Sequence, residues 1–219
     1  MNRTTSQCII EASELAKMAL LSYLIKKVTF MKTLLHTCCA PCSIMCIETL
    51  RSEDIEPVAF WFNPNIHPYT EYRSRKETLV QYAKNIEMEL ILEGEYGLRE
   101  FLHNVSPDYD HRCGYCYSVR ADAAASYAAE HGYESFTSTL LISPYQNHEL
   151  LRETMERSAE KYGVQFLYRD FRPYFREGQQ KARELELYMQ KYCGCIFSEE
   201  DRYRKPKKKK ETAMADGKG

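Results

Sequence analysis

Seven of the nine cysteines in this 219-residue chain stand in three tight groups: Cys38-Cys39-Ala40-Pro41-Cys42, Cys113-Gly114-Tyr115-Cys116 and Cys193-Gly194-Cys195. A structural zinc takes four ligands. Seven clustered thiols exceed that need and point to redox metal chemistry. Cys113-x-x-Cys116 and Cys193-x-Cys195 together offer the four thiolates that a cubane iron–sulfur cluster requires. The same spacing fits tetrahedral zinc equally well. A thioredoxin-like pair at Cys113 and Cys116 is a third reading, but it leaves Cys193 and Cys195 unexplained.

The Cys38 group differs in its setting. Pro41 suits a first helical turn, so these thiols sit at the mouth of a strand-to-helix turn. Nucleotide binders place a glycine-rich phosphate loop there, and its replacement by thiols argues against ATP binding. Three thiols within five residues can hold one soft metal ion with a position open to substrate. Cys46 and Cys8 read as packing cysteines, and His36 as either a donor steadying a metal ligand or, the reading favoured, a buried, satisfied histidine.

Two polar loops accompany the cysteines: Asn63-Pro64-Asn65-Ile66-His67-Pro68-Tyr69 and Ser143-Pro144-Tyr145-Gln146-Asn147-His148. Their side chains could read a base or ribose, and Asn147 could equally cap a helix. Arg73 and Arg75 suit either phosphate contact or a solvated helix face. The 17 tyrosines allow stacking on nucleobases.

Elements able to position these groups alternate along the chain. Strands are expected over 31–36, 57–62, 89–92, 134–140 and 164–168. Helices are expected to begin near Pro41 and to span 69–86, 116–131, 147–162 and 176–190. The helix over 69–86 should bury Tyr72, Leu79, Tyr82 and Ala83. Gly132 and Gly163 stand where helices end. Residues 8–26 have the apolar spacing of an amphipathic helix. The expected fold class is α/β, a Rossmann-like (HUP/PP-loop-like) parallel sheet flanked by helices, with a metal-binding C-terminal segment. The chemistry-bearing loops then follow strands and share one sheet edge.

Composition sets the outer bounds. At 44% hydrophobic and 28% charged, the chain has the make-up of a globular domain. Its net charge of −1 hides a basic stretch, since residues 205–219 carry six lysines against Glu211 and Asp216. That asymmetry suits a polyanionic partner or a disordered solubilising tail. No secretory signal or bilayer-length apolar run is visible. A cytoplasmic location follows as the expectation, in which clustered cysteines act as ligands rather than disulfides.

Five motifs in order resemble one family. They are Leu34-Leu35-His36-x-Cys38-Cys39-Ala40-Pro41-Cys42-Ser43, Phe60-Trp61-Phe62-Asn63-Pro64-Asn65-Ile66-His67-Pro68, Cys113-x-x-Cys116-Tyr117, Thr139-Leu140-Leu141-Ile142-Ser143-Pro144-Tyr145-Gln146, and Tyr192-Cys193-Gly194-Cys195-Ile196-Phe197-Ser198. From about Met31 to Glu200 the chain resembles the QueH-type epoxyqueuosine reductases. The resemblance implies a cobalamin-independent bacterial oxidoreductase that converts epoxyqueuosine to queuosine in the wobble position of tRNA, the last step of queuosine synthesis. It also implies a [4Fe–4S] cluster with a second metal site beside it. Cys113, Cys116, Cys193 and Cys195 would hold the cluster. Cys38, Cys39 and Cys42 would hold the second metal, an iron ion. Some family members carry Asp at the position of Cys42, so a thiolate there alters that ligand set. His67, Tyr69 and Tyr145 are the candidate proton donors. The partners would be the tRNA and an external electron donor. Residues 1–30 would form an N-terminal extension, 31–204 the reductase domain and 205–219 a disordered basic tail. Two alternatives stand beside this reading: a zinc-stapled tRNA-binding module without redox activity, and an ATP-dependent tRNA-thiolation enzyme.

Overall fold

The structure, a computed structural model, describes residues 32–204. The expected helix over 8–26, Cys8, Met31 and the lysine-rich segment lie outside the described residues. Five parallel strands form one sheet: β1 (Thr33–His36), β2 (Pro57–Trp61), β3 (Leu90–Leu92), β4 (Ser135–Ser138) and β5 (Gln165–Phe166). Their order is β3-β2-β1-β4-β5, that of an open doubly wound sheet. The α/β expectation with a parallel sheet therefore holds.

Among the described residues seven α-helices accompany the strands: α1 (Ala40–Ser52), α2 (Tyr69–Asn85), α3 (Leu98–Val105), α4 (Arg112–Glu130), α5 (His148–Tyr162), α6 (Phe175–Glu184) and α7 (Ile196–Tyr203). Right-handed crossovers put α1 and α2 on one face and α4 and α5 on the other. The contacts agree: α1 packs on α2 and α6, while α4 packs on α5, β1 and β4.

Central strands covered on both faces bury every residue, and β1 and β4 do so. Burial of polar residues then requires partners. The register supplies them: Thr33 faces Ser135 and His36 faces Ser138. Thr33 Oγ1 lies 2.8 Å from Ser135 Oγ, and His36 Nδ1 lies 2.9 Å from Ser138 Oγ. His36 is thus the buried, satisfied histidine that was expected.

Several boundaries differ from the sequence-based expectation. The fourth strand ends at Ser138, and Thr139–Ile142 turns into a 3₁₀ helix capped by the Ser138 hydroxyl. The helix after β5 stops at Glu184 rather than Gln190, followed by Glu186 in the left-handed region at φ 54°. That early stop frees residues 185–195 to run as irregular chain toward the cysteines. The short helices α3 and α7 were not expected at all. Asn147 is a plain N-cap, its Oδ1 accepting from Leu150 N at 3.2 Å, and Gly163 ends α5 at φ 67°.

Candidate metal centre

The turn after β1 carries the first thiol group. Cys39 is the N-cap of α1 with extended backbone, and Pro41 lies in the first turn. Cys38, Cys39 and Cys42 are all buried. Among the described residues they form the one trio of His, Cys, Asp or Glu whose ligand atoms lie within 4.8 Å of one another. Cys38 Sγ lies 3.7 Å from Cys39 Sγ, and Thr139 Oγ1 sits 3.4 Å from Cys38 Sγ. Gln190 Nε2 donates to Cys42 Sγ at 3.2 Å. Hydrogen bonds from Cys39 and Cys42 lower the pKa of the Cys38 thiol. Burial raises that of Cys39, and sharing hydrogen bonds with Cys38 and Cys39 raises that of Cys42. Left to itself the trio favours one thiolate. Full deprotonation needs a cation, as in a metal site that releases protons on binding.

The second group is assembled from distant segments. Cys113 and Cys116 lie in the first turns of α4, and Cys195 is the N-cap of α7. All four of Cys113, Cys116, Cys193 and Cys195 line one pocket with Asn65, Phe101, Arg112, Tyr117, Arg120 and Gln146. No three of these four sulfurs meet the 4.8 Å limit that the Cys38 trio satisfies. A single zinc with Zn–S distances of about 2.3 Å would hold sulfurs roughly 3.8 Å apart. Cys195 is drawn down to about 5 by hydrogen bonds from Cys193 and then Ser198, against burial. Cys193 moves up as its partner. Burial pushes Cys116 up to about 11.

The segment 192–195 is held against the loop after β2. His67 N donates to Gly194 O at 2.7 Å, and Tyr192 OH donates to His67 O at 2.6 Å. Arg75 is 1% exposed and donates to three acceptors: Glu71 Oε1 at 2.7 Å, Cys193 O at 3.1 Å and Tyr192 O at 2.9 Å. Glu71 also accepts from Tyr188 OH. Arg75 is therefore neither on a solvated face nor free for phosphate. It clamps the Cys193 turn. Gly194, at φ 130°, would bring a Cβ to 3.1 Å from Ile66 Cγ1 and 3.2 Å from Arg75 Nη1. Gly114 has no such reason, since a Cβ there meets no atom within 4 Å.

A cleft of about 1040 Å³ opens beside both groups. Cys38, Cys42 and Cys193 line it, so Cys193 belongs to the walls of both pockets. Arg176, Arg183, Lys191 and Arg202 line it against one carboxylate, Asp201. Sequence reasoning passed over that basic wall. Its signal was present: Arg176, Gln179, Gln180 and Arg183 form a polar stripe at helical spacing along α6.

The three candidate proton donors separate. Tyr145 is 83% exposed and lines the cleft, edge-on to Phe175 at 5.8 Å. Gln146 and Asn147 beside it are anchored by Tyr117 OH, which donates to Gln146 Oε1 at 2.6 Å and accepts from Asn147 N at 3.2 Å. Tyr69 stacks on Tyr72, meets Tyr96 edge-on and does not line the cleft. His67 is fully buried beneath Phe101 and Tyr96 and does not line it either. Its Nε2 sits 3.2 Å from Pro64 O, and desolvation lowers its pKa to about 4. Asn63 and Asn65 are also turned inward, toward Thr37 O and Cys116 Sγ. Asn63, Asn65 and His67 of the loop after β2 are thus committed to the protein interior.

The family model for epoxyqueuosine reductase QueH matches residues 33–201. A curated relative of that name from Dehalococcoides mccartyi is 40% identical over 175 residues, covering 80% of this chain and 96% of the relative. Relatives of the same name from Haemophilus influenzae and Thermotoga maritima are each 35% identical. They cover 78% and 75% of this chain, and 72% and 88% of the relatives. Among solved structures, a deacetylase from the teicoplanin biosynthesis pathway covers 70% of this chain at a TM-score of 0.42 and 11% identity, too distant to bear on function.

Proposed function

The chain belongs to the epoxyqueuosine reductase QueH family, and from that premise we propose that it is an oxidoreductase reducing epoxyqueuosine to queuosine in the wobble position of tRNA. The observation that carries this reading to a mechanism is Cys193, whose side chain borders both the four-cysteine pocket and the cleft lined by Cys38 and Cys42. Electron supply and substrate would meet there.

Converting an epoxide to an alkene takes two electrons and two protons, and the oxygen leaves as water. Cys113, Cys116, Cys193 and Cys195 would hold a [4Fe–4S] cluster, and Cys38, Cys39 and Cys42 a second iron ion. When bound, these groups would supply electrons singly and Lewis acidity at the epoxide oxygen. Orphaned buried donors support the fit of an anionic cluster: Arg120 Nη1 and Arg112 Nε, both on residues lining the four-cysteine pocket, have no partner. The chain's own work is positioning. Arg75 holds the Cys193 turn, Gln190 orients Cys42, and Tyr117 fixes the residues flanking Tyr145. Tyr145, alone of the three candidates on the cleft wall, is the proton donor this geometry favours. The basic wall of α6 suits the tRNA backbone. The electrons come from an external one-electron carrier. No helix among the described residues is long and apolar enough to cross a membrane, and we place the enzyme in the cytoplasm with its tRNA.

The test is anaerobic purification followed by turnover. The protein should be brown, absorb near roughly 400 nm and carry about four irons and four sulfides in the cubane. With dithionite it should remove one oxygen from epoxyqueuosine in tRNA, read by mass spectrometry of the digested nucleosides. Cys193→Ser should abolish colour and turnover together. A colourless protein with stoichiometric zinc and no turnover would instead establish the zinc-stapled module.

A further inference from the structure

Cys116 is set apart from the other three cysteines of its pocket. Its Sγ accepts from Asn65 Nδ2 at 3.2 Å and from Arg120 Nη2 at 2.8 Å. Both donors are N–H groups on atoms that cannot accept, so the sulfur is the electron-rich partner in each bond. Cys193 and Cys195 bond Ser198 instead.

Arg120 is 2% exposed. Its Nε donates to Cys116 O at 3.0 Å, its Nη2 to Cys116 Sγ, and its Nη1 has no partner. Among the described residues it makes no ion pair with a carboxylate. A buried guanidinium in that state is costly unless another negative group faces it. The four-cysteine pocket, which Arg120 and Asn65 both line, is the place for such a group.

We propose that Arg120, assisted by Asn65, is a positioning residue that sets the reduction potential of the metal group held by Cys113, Cys116, Cys193 and Cys195. This rests on the cluster reading above. Each electron that enters adds one negative charge. A fixed cation and two N–H donors at a ligand sulfur favour the more negative, reduced form. Cys116 does not line the substrate cleft, whereas Cys193 does, and the other guanidinium of the pocket, Arg112, stands by Cys195 and Cys113. Arg120 therefore steadies the charge on the side away from substrate and leaves the Cys193 side to the reaction.

The experiment is a dithionite redox titration of the full-length, anaerobically purified protein, followed by visible absorbance and electron paramagnetic resonance. Arg120→Gln should keep its iron and sulfide. Its reduced-to-oxidised ratio at a given potential should fall about tenfold, a 59 mV drop for one electron. Arg120→Lys, which keeps the charge, should recover most of that drop. Asn65→Ala removes one donor and should shift the ratio about threefold the same way, and it decides the matter if Arg120→Gln does not hold the cluster. A cluster-bearing Arg120→Gln or Asn65→Ala protein with an unchanged potential overturns the inference and leaves the cluster reading intact. A wild-type protein containing only zinc overturns both.

Discussion

Replacing Gly194 by Ala tests how tightly the cysteine-bearing turn is built. Two costs add at this position. The backbone at φ 130° lies where side chains are rarely tolerated, a strain of about 1–3 kcal/mol. The new methyl would also press on Ile66 Cγ1 at 3.1 Å and Arg75 Nη1 at 3.2 Å. Arg75 cannot swing aside, because Glu71 and two carbonyls hold it. Crowding of a packed site adds about 1–3 kcal/mol. The sum is on the order of 3 kcal/mol, or a Tm lower by roughly 6–12 °C for a chain of this size. Gly132→Ala is the internal control. Its φ is 71° and its Cβ would meet nothing within 4 Å, so it carries the strain alone, about 1 kcal/mol. Urea unfolding of both variants, with iron content measured alongside, separates the two costs. Should Gly194→Ala cost no more than Gly132→Ala, the crowding by Ile66 and Arg75 is not real and the clamp is misread.

Three further outcomes are expected. Glu71→Ala leaves the Arg75 charge buried without its carboxylate and should cost about 3–5 kcal/mol in urea unfolding, with Glu71→Gln milder; equal stability of wild type and Glu71→Ala would contradict the brace. His67 titrates near 4 in the fold against an ordinary 6.5, so the unfolded chain binds more protons below pH 6.5 and stability must fall as the pH drops toward 4. Between pH 7 and 5 this one group accounts for about 2 kcal/mol, and His67→Gln should flatten the unfolding free energy over that range by that amount; an unchanged slope counts against the burial argument. Replacing Arg176 and Arg183 together by Ala should make the salt dependence of tRNA binding shallower by roughly 1.4–1.8 in log–log slope and raise KM with kcat retained; a slope equal to wild type would remove α6 from the interface.

What the sequence revealed follows from how local each signal is. The cysteine groups and the caps at Pro41, Asn147 and Gly163 are legible because residue type and spacing within a few positions decide them. Strand positions followed from short apolar runs, but β4 was overextended: Thr139 and Leu140 look extended by composition, and it takes the Ser138 hydroxyl to turn the chain. Arg75 was beyond reach. Its burial is decided by carbonyls more than a hundred positions away, and a charged residue on a helix otherwise reads as solvated. The same holds for Asn65, which looks like a base reader until Cys116 is found beside it.

The two thiol groups differ in how much of the fold they require. Cys38, Cys39 and Cys42 lie within five residues, so a strand-to-helix turn alone brings them together, and the N-terminal end of α1 adds a dipole that favours thiolate. The other four come from α4, which follows β3, and from the turn before α7, which follows β5 and α6, about 80 positions apart, so only the folded chain brings them to one pocket. The loop after β2 then supplies the scaffold, with Asn65 on Cys116 and His67 on Gly194. A metal group bound to four sulfurs gathered in this way is held by the native state and not by the unfolded chain, so its binding energy is folding energy. Loss of that group and loss of the C-terminal fold over it should therefore be one event. The trio at β1 can keep its geometry through it, because the strand and helix that hold it belong to the sheet core.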